Sequence, residues 1–169
     1  MEDREKILTV ISLGAGVQSS TMAIMAAKGD LPMPQGSIFS DTQNEPRRVY
    51  DYLKYLKSIL PYPVHIVSKG HITNDMISSI DNGTRFPTAP FFTQNDITGK
   101  KGMLRRQCTN DYKIQPIRQK IRELCNVAKG KHFPKDKYVE QWIGISTDEA
   151  QRMKPARDKY ILNKYPLIE

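Results

Sequence analysis

The turn after the first apolar segment carries residues suited to holding a phosphate. Residues 7–13 predict a short buried strand, and an Ala- and Met-rich helix is predicted soon after it. Between the two, Gly14 and Gly16 allow a tight turn and a close approach of the backbone to a ligand. Ser19 and Ser20 stand at the helix start, where hydroxyl and free N–H groups bind anions. The alternative is a serine-capped helix after a glycine turn.

This turn differs from the two commonest nucleotide-binding turns. It lacks the Gly-Lys-Ser/Thr ending of a P-loop. Ser19 also stands where the dinucleotide fingerprint requires a third Gly or Ala. The sequence therefore predicts a phosphate-binding turn of another type.

The positive charge of the chain is concentrated in one segment. The sequence has a formal net charge of +8, and residues 99–137 alone hold 12 basic and 3 acidic side chains. Such a block attracts phosphate groups, either of a nucleotide or of a nucleic-acid backbone. A nucleic acid held through residues 99–137 is therefore one expected partner, and a solvated helix face with a loop is the alternative.

Cys108 is the cysteine whose neighbours favour chemistry. Arg105, Arg106 and Lys113 lie near it in sequence, and positive charge around a thiol favours the thiolate. Cys108 is thus a candidate nucleophile or sulfur carrier, with Arg106 and Lys113 as further candidate catalytic residues. The alternative for Cys108 is a small residue at a helix start. Cys125 lies on an apolar helix face and is predicted to pack.

Composition excludes several classes of protein and of site. Two cysteines are too few for a disulfide scaffold or for a four-cysteine iron–sulfur cluster within this chain. The three histidines show no metal-ligand spacing, so no metal site is expected beyond Mg²⁺ carried by a nucleotide. No apolar run approaches the roughly 20 residues of a membrane helix, and the charged start is unlike a signal peptide. We expect a cytoplasmic protein with no membrane contact, since the low cysteine content suits a reducing compartment.

Apolar β-branched segments alternate with amphipathic ones along the chain. Strands are predicted at residues 7–13, 36–40, 64–67 and 138–145. Helices are predicted at residues 19–28, 46–60, 72–80, 111–125 and 148–153, the last opened by a capping box at residues 146–149. A basic, irregular insertion is predicted around residues 83–110. The alternation predicts an α/β fold, with a parallel sheet and helices on both of its faces.

Four segments together resemble the phosphoadenosine phosphosulfate (PAPS) reductase-like branch of the adenine-nucleotide alpha-hydrolase superfamily, the PP-loop ATPases. Residues 12–20 are similar to the pyrophosphate loop Ser-x-Gly-x-Asp-Ser, with Gln18 at the usual Asp position. Residues 39–45 are similar to the Asp-Thr-Gly segment, with Gln43 replacing the Gly. Residues 105–117 resemble the Arg-x-Cys…Lys-x-x-Pro-Leu segment, and residues 144–152 resemble Gly-Ile-Arg-Arg-Asp-x-Ser-x-x-Arg. The four segments follow the family's order.

The resemblance implies a Rossmann-like, HUP-type, doubly wound parallel sheet of about five strands in a single nucleotide-binding domain over residues 1–169. An adenine nucleotide, ATP or PAPS with Mg²⁺, would lie across the carboxyl edge of this sheet. The implied phosphate-binding residues are Ser12, Gly14, Gly16, Gln18, Ser19 and Ser20. Those implied near the ribose or adenine are Phe39, Asp41 and Thr42. Those implied to neutralise phosphate or sulfate charge are Arg105, Arg106, Lys113 and Arg152.

Two of these residues have simpler interpretations. Asp41 is also typical of a turn, because Asp side chains accept hydrogen bonds from the backbone two residues on. Arg152 is also typical of the last turn of a short helix, where a cation interacts favourably with the helix dipole.

The resemblance implies cleavage of ATP between its α and β phosphates, with transfer of an adenylyl group or of sulfur to an acceptor. A PAPS reductase is an alternative; it would need Cys108 or an external thiol, because the family's tail motif Glu-Cys-Gly-x-His does not occur in this sequence. A non-catalytic nucleotide- or nucleic-acid-binding module is a third possibility. The resemblance also implies a bacterial or phage-infected host cell, because short members of this branch occur in phages and mobile elements. Longer relatives carry a C-terminal tail segment, which we expect to be missing here.

Overall fold

Five strands form one parallel sheet in the computed structural model, which describes residues 4–83, 92–103 and 109–168. The chain begins with β1 (Glu5–Ser12), α1 (Val17–Lys28), β2 (Gly36–Asp41), α2 (Arg47–Ile59), β3 (Val64–Ser68) and α3 (Ile72–Asn82). It continues with β4 (Phe92–Gln94), β5 (Lys101–Met103), a π-helical segment (Thr109–Ile114), α4 (Gln115–Leu124), β6 (Lys137–Ile143), a 3-10 turn (Thr147–Arg152) and β7 (Ile161–Lys164).

The strand order of the sheet is β3-β2-β1-β6-β7, and all neighbouring strands are parallel. The central strand β1 ends at Ser12, which pairs with Ile38 of β2 and Ile143 of β6. The order reverses between β1 and β6, and the crevice outside the carboxyl ends at such a switch point is where open α/β sheets bind ligands. The predicted α/β, doubly wound fold is confirmed.

The alternation of apolar residues along the strands separates two cores, one on each face of the sheet. One face is covered by α1 and α2, and its buried residues include Ile11, Met22, Phe39, Leu56 and Trp142. The other face is covered by α4, and its buried residues include Val10, Ile38, Ile117, Ile121 and Val139. Cys125 packs against this second core, as predicted, and burial raises the pKa of its thiol.

The predicted helix at residues 111–125 is two segments, and Pro116 explains the change. Proline has no N–H, so it cannot donate to the carbonyl of Tyr112 four residues earlier. Ser40 Oγ, at the end of β2, donates to that carbonyl at 2.6 Å. The backbone before Pro116 is π-helical and the regular α-helix follows, with proline in its first turn. This places Tyr112 and Lys113 at the carboxyl edge of the sheet.

Three further expectations differ from the structure. The fifth strand β7 was not predicted, since Ile161–Lys164 has too few residues to show a period. The predicted capping box at residues 146–149 does not form, because Ser146 Oγ donates to Asp148 and accepts from Gln18 instead. The helix it was to open is a 3-10 turn. Within the insertion predicted as irregular, β4 and β5 form an antiparallel pair.

Candidate functional site

The loop between β1 and α1 lies at the switch point of the sheet. The backbone N–H of Gly14 donates to Ser19 Oγ at 3.1 Å, and Ser19 Oγ donates to the carbonyl of Gly16 at 3.3 Å. The left-handed position of the loop is Ala15 (φ 52°), so neither glycine is needed there for the turn itself. This corrects the expected role of Gly14 and Gly16 in a tight turn, and the close approach of a ligand at these residues stays a prediction.

The space where a side chain of Gly16 would lie is unoccupied by described atoms. A Cβ added to this residue would meet no described atom within 4 Å, whereas a Cβ on Gly14 would lie in ordinary contact with Ser19 Oγ at 3.7 Å. The backbone of Gly16 has an extended conformation (φ −90°, ψ 173°), which other residues adopt without strain. Glycine at this position therefore keeps the space in front of the loop free.

The N-terminus of α1 is uncapped within the described part of the chain. Gly16 is its N-cap, no side-chain hydrogen bond caps it, and its first turn holds no acidic residue. The first N–H groups of a helix lack partners inside the helix and carry the positive end of its dipole. Here they lie at the switch point of the sheet, and the nearby Glu149 carboxylate is engaged by the side chains of Gln18 and Arg152. This arrangement favours an anionic group next to Gly16 and Ser19.

Gly144 holds the start of α1 against the carboxyl end of β6. A Cβ on Gly144 would lie 2.6 Å from the backbone N of Ser19 and 2.8 Å from the carbonyl carbon of Gln18. These are backbone atoms, which cannot rotate away as a side chain can. Glycine is therefore required here for close packing, which brings the loop and the β6 end into one crevice.

Gln18 contacts the 3-10 turn and not the space in front of the loop. Its Nε2 donates to Ser146 Oγ at 2.9 Å and to Glu149 Oε2 at 2.9 Å. The same Glu149 oxygen accepts from Arg152 at 2.6 Å. An amide suits this position, since an aspartate would bring a second carboxylate towards Glu149. The hydrogen bonds of Gln18 thus give a local structural reason for glutamine instead of aspartate at this position. Arg152 is held near the loop because it donates to the same Glu149 oxygen as Gln18.

We predict a measurable pKa effect in this network. The hydrogen bond from Arg152, followed by that from Gln18, lowers the pKa of Glu149 below its ordinary value of 4.5. A lowered pKa stabilises the folded state above the pKa of the unfolded chain, and this contribution is lost as pH falls through the folded value. Carboxyl titration by NMR should show the Glu149 pKa rising towards 4.5 in Arg152→Ala. Lys154→Ala should leave it unchanged, and a Glu149 pKa that is equal in the parent and Arg152→Ala would refute the pairing.

At the carboxyl end of β2, the predicted ribose or adenine residues have mainly structural contacts. Phe39 is 2% exposed and lies in the core, so its side chain offers a ligand almost no surface. Asp41 Oδ1 accepts from the backbone N–H of Gln43 at 2.7 Å and from Tyr50 Oη at 2.8 Å. The turn interpretation of Asp41 therefore accounts for its contacts. Burial, with the Asp41 hydrogen bond second, raises the pKa of Tyr50.

Lys113 reaches this end of β2 through an ion pair. Thr42 Oγ1 donates to Glu45 Oε1 at 3.2 Å, and Lys113 Nζ lies 3.4 Å from the same oxygen. The Lys113 side chain is 50% exposed, so it can also meet a ligand from solvent. Thr42 and Lys113, distant in sequence, thus contact the same carboxylate oxygen at the end of β2.

A cluster beside β3 was missed from the sequence. Lys69, directly after β3, has its Nζ 4.0 Å from Asp111 Oδ2 and 5.1 Å from the centre of the Tyr112 ring. Tyr112 Oη donates to Asp75, and burial, followed by this hydrogen bond, raises the pKa of Tyr112. The rule that carboxyl ends of parallel strands share one edge could have identified Lys69.

The remaining predicted residues divide into two groups. Ser12 is half-buried at the end of β1, and Ser20 is buried with an Oγ that has no hydrogen-bond partner among the described residues. Arg105, Arg106 and Cys108 lie outside the described residues.

Within the described ranges, no group of three His, Cys, Asp or Glu side chains could hold a metal ion. No helix in those ranges is long and apolar enough to cross a membrane.

The chain was compared with protein families, curated proteins and solved structures. No family model, no curated protein and no solved structure matches it. The geometry of the switch point is therefore the basis for any functional assignment.

Proposed function

We propose that the crevice between the carboxyl ends of β1 and β6 binds an adenine nucleotide, and that the protein is a PAPS reductase-like PP-loop protein. The observation that carries this proposal is the uncapped N-terminus of α1, which faces an open space beside Gly16 at the switch point. Free N–H groups and the helix dipole recognise phosphate oxygens. The reaction proposed is attack of an acceptor oxygen on the α phosphorus of ATP, which transfers the adenylyl group and releases pyrophosphate. Sulfur transfer to the activated acceptor would then need a separate thiol or persulfide as the sulfur donor, with AMP as the leaving group.

The residues of the crevice suggest how they would act in such a reaction. The N–H groups at the start of α1 would hold phosphate oxygens, with the loop fixed by the Gly14–Ser19 hydrogen bond. Lys113 and Arg152 would face the developing negative charge, since both side chains are at least half exposed near the edge. Positioning and charge neutralisation can supply much of the acceleration in phosphate-group chemistry. The donors at the loop are N–H groups, so Mg²⁺ would be held by the nucleotide's own oxygens and water.

Ligand-induced stabilisation tests the nucleotide site. ATP at about 100 times its dissociation constant should add about 2.7 kcal/mol to the free energy of unfolding, measured as a melting shift with and without Mg²⁺. Ser19→Ala removes the acceptor that fixes Gly14 and should weaken ATP binding about tenfold. At the same ATP concentration, the stabilisation should then fall to about 1.4 kcal/mol. Ser58→Ala, which removes an exposed hydroxyl on α2, is the matched control.

The choice of nucleotide and a reaction assay separate the candidate activities. ATP binding followed by pyrophosphate release with candidate acceptors would support adenylyl transfer. A preference for PAPS, with sulfite formed in the presence of a thiol donor, would support the reductase. Absence of a melting shift with ATP, PAPS and AMP would refute the nucleotide site.

A further inference from the structure

A second charged surface lies at the opposite edge of the sheet. A groove of about 560 Å³ opens at the amino ends of β1, β6 and β7. Six basic side chains line it, and we call it the basic groove: Arg4, Arg122, Lys131, Lys135, Lys137 and Lys159. β1 has eight residues, so at about 3.3 Å per residue this edge is roughly 25 Å from the switch point. The basic groove is therefore distinct from the proposed nucleotide site.

The charge of the basic groove is largely uncompensated. Of its six basic residues, Lys137 pairs with Glu5 at 3.8 Å. Lys131, Lys135 and Lys159 have no ion pair with a carboxylate of the described residues. These three lysines are exposed on two separate parts of the chain, so the fold itself creates the concentration of charge.

The two arginines are held by backbone carbonyls, which leave their charge in place. Arg122 donates to the carbonyls of Ala128 at 3.1 Å and Lys131 at 2.5 Å. Arg4 donates to the carbonyl of Lys159 at 2.7 Å. These bonds fix the loops that carry the lysines, so the basic groove is a built surface and not a set of independent side chains.

Aromatic rings lie among these cations. Phe133 and Tyr160 line the same groove and stack on each other, with ring centroids 4.1 Å apart and planes 9° apart. Both are partly exposed. Proteins that bind single-stranded nucleic acid combine a basic groove along the backbone with aromatic rings on which bases stack. The basic groove shows this combination, with a stacked aromatic pair among its lysines and arginines.

We propose that the basic groove binds single-stranded nucleic acid, with phosphates on its lysines and a base against the Phe133–Tyr160 pair. The positive block recognised in residues 99–137 is thereby divided. Its last part, joined by Arg4 and Lys159 from other regions, faces away from the nucleotide site and serves as a docking surface for a polymer.

Fluorescence anisotropy with a labelled oligodeoxythymidine of about 20 nucleotides tests this proposal on the full chain, without ATP. The triple variant Lys131→Gln, Lys135→Gln, Lys159→Gln removes three phosphate contacts. The slope of log affinity against log salt should become less steep by about 2, and the affinity at about 0.15 M salt should fall by roughly 30-fold. The matched control replaces Lys28, Lys54 and Lys57, which are exposed elsewhere, by Gln and should retain most of the affinity.

Three outcomes would overturn the proposal. The first is an equal loss of affinity in the control variant, which would indicate attraction by net charge alone. The second is binding to vesicles of phosphatidylserine and phosphatidylcholine without binding to the oligonucleotide. The third is absence of oligonucleotide binding by the parent protein at low salt. The basic groove can be tested separately from the nucleotide site, because the two lie at opposite edges of the sheet. Loss of nucleotide binding would therefore leave this proposal standing.

Discussion

Replacing Gly144 by alanine is expected to destabilise the protein by about 3 kcal/mol and to abolish nucleotide binding. The new Cβ would lie 2.6 Å from the backbone N of Ser19, so α1 or the end of β6 has to move. Overpacking of this kind costs about 1–3 kcal/mol, and contact with backbone atoms places Gly144→Ala at the upper end of that range. Urea unfolding measures the loss, and ATP titration by melting shift measures the effect on the crevice.

Gly16→Ala is the matched control for this prediction. The substitution is the same and lies in the same crevice, but its Cβ has no described atom within 4 Å. We expect a change of less than about 1 kcal/mol, from the weaker helix-capping of alanine. Equal unfolding midpoints for Gly144→Ala and the parent protein would contradict the close packing of β6 against α1.

Gly16→Asp is expected to act in opposite directions on stability and on binding. Gly16 has the extended conformation of a helix N-cap, and an aspartate there can accept hydrogen bonds from the free N–H groups of α1. Its charge also interacts favourably with the helix dipole, so the free protein should gain about 0.5–1 kcal/mol. The same carboxylate would occupy the proposed phosphate position and repel a nucleotide. The stabilisation of about 2.7 kcal/mol by excess ATP should therefore be lost.

Urea unfolding with and without ATP measures both effects on the same samples. Gln119→Glu makes the same change in charge on the exposed side of α4 and should leave the ATP effect intact. A more stable Gly16→Asp variant that ATP still stabilises fully would show that the nucleotide binds elsewhere. Because the free protein is expected to gain stability, failure to fold cannot account for a loss of binding.

The sequence by itself determined the fold class and the place of the central loop. The apolar β-branched segments indicate strands that are buried on both faces of a sheet. The amphipathic segments between them indicate helices that cover those faces, so the alternation predicts a parallel α/β sheet. The glycine and serine residues after the first strand also marked the loop, because these residue types are typical of turns and helix starts. These signals are local, so neighbouring residues are enough to show them.

The contacts across the crevice depended on tertiary structure. The strand β6 lies beside β1, although it comes more than 100 residues later in the chain. This pairing brings Gly144 against Ser19 and lets Gln18 donate to Glu149. The strand β7 was missed because an edge strand of a few residues is defined by its partner and not by its own period. The proline that interrupts the helix at Pro116 was visible in the sequence, but the hydrogen bond that Ser40 Oγ donates to the carbonyl of Tyr112 was not.

The positive charge of the chain likewise depends partly on sequence and partly on tertiary structure. The sequence located an excess of positive residues at 99–137, and this is a property of composition alone. Where that charge acts depends on which loops meet. Lys113 turns to Glu45 at the carboxyl edge, whereas Lys131 and Lys135 meet Lys159 at the amino edge, together with Arg4. Electrostatic attraction depends on distances in space between residues far apart along the chain, and the parallel sheet, with its two opposite edges, sets those distances.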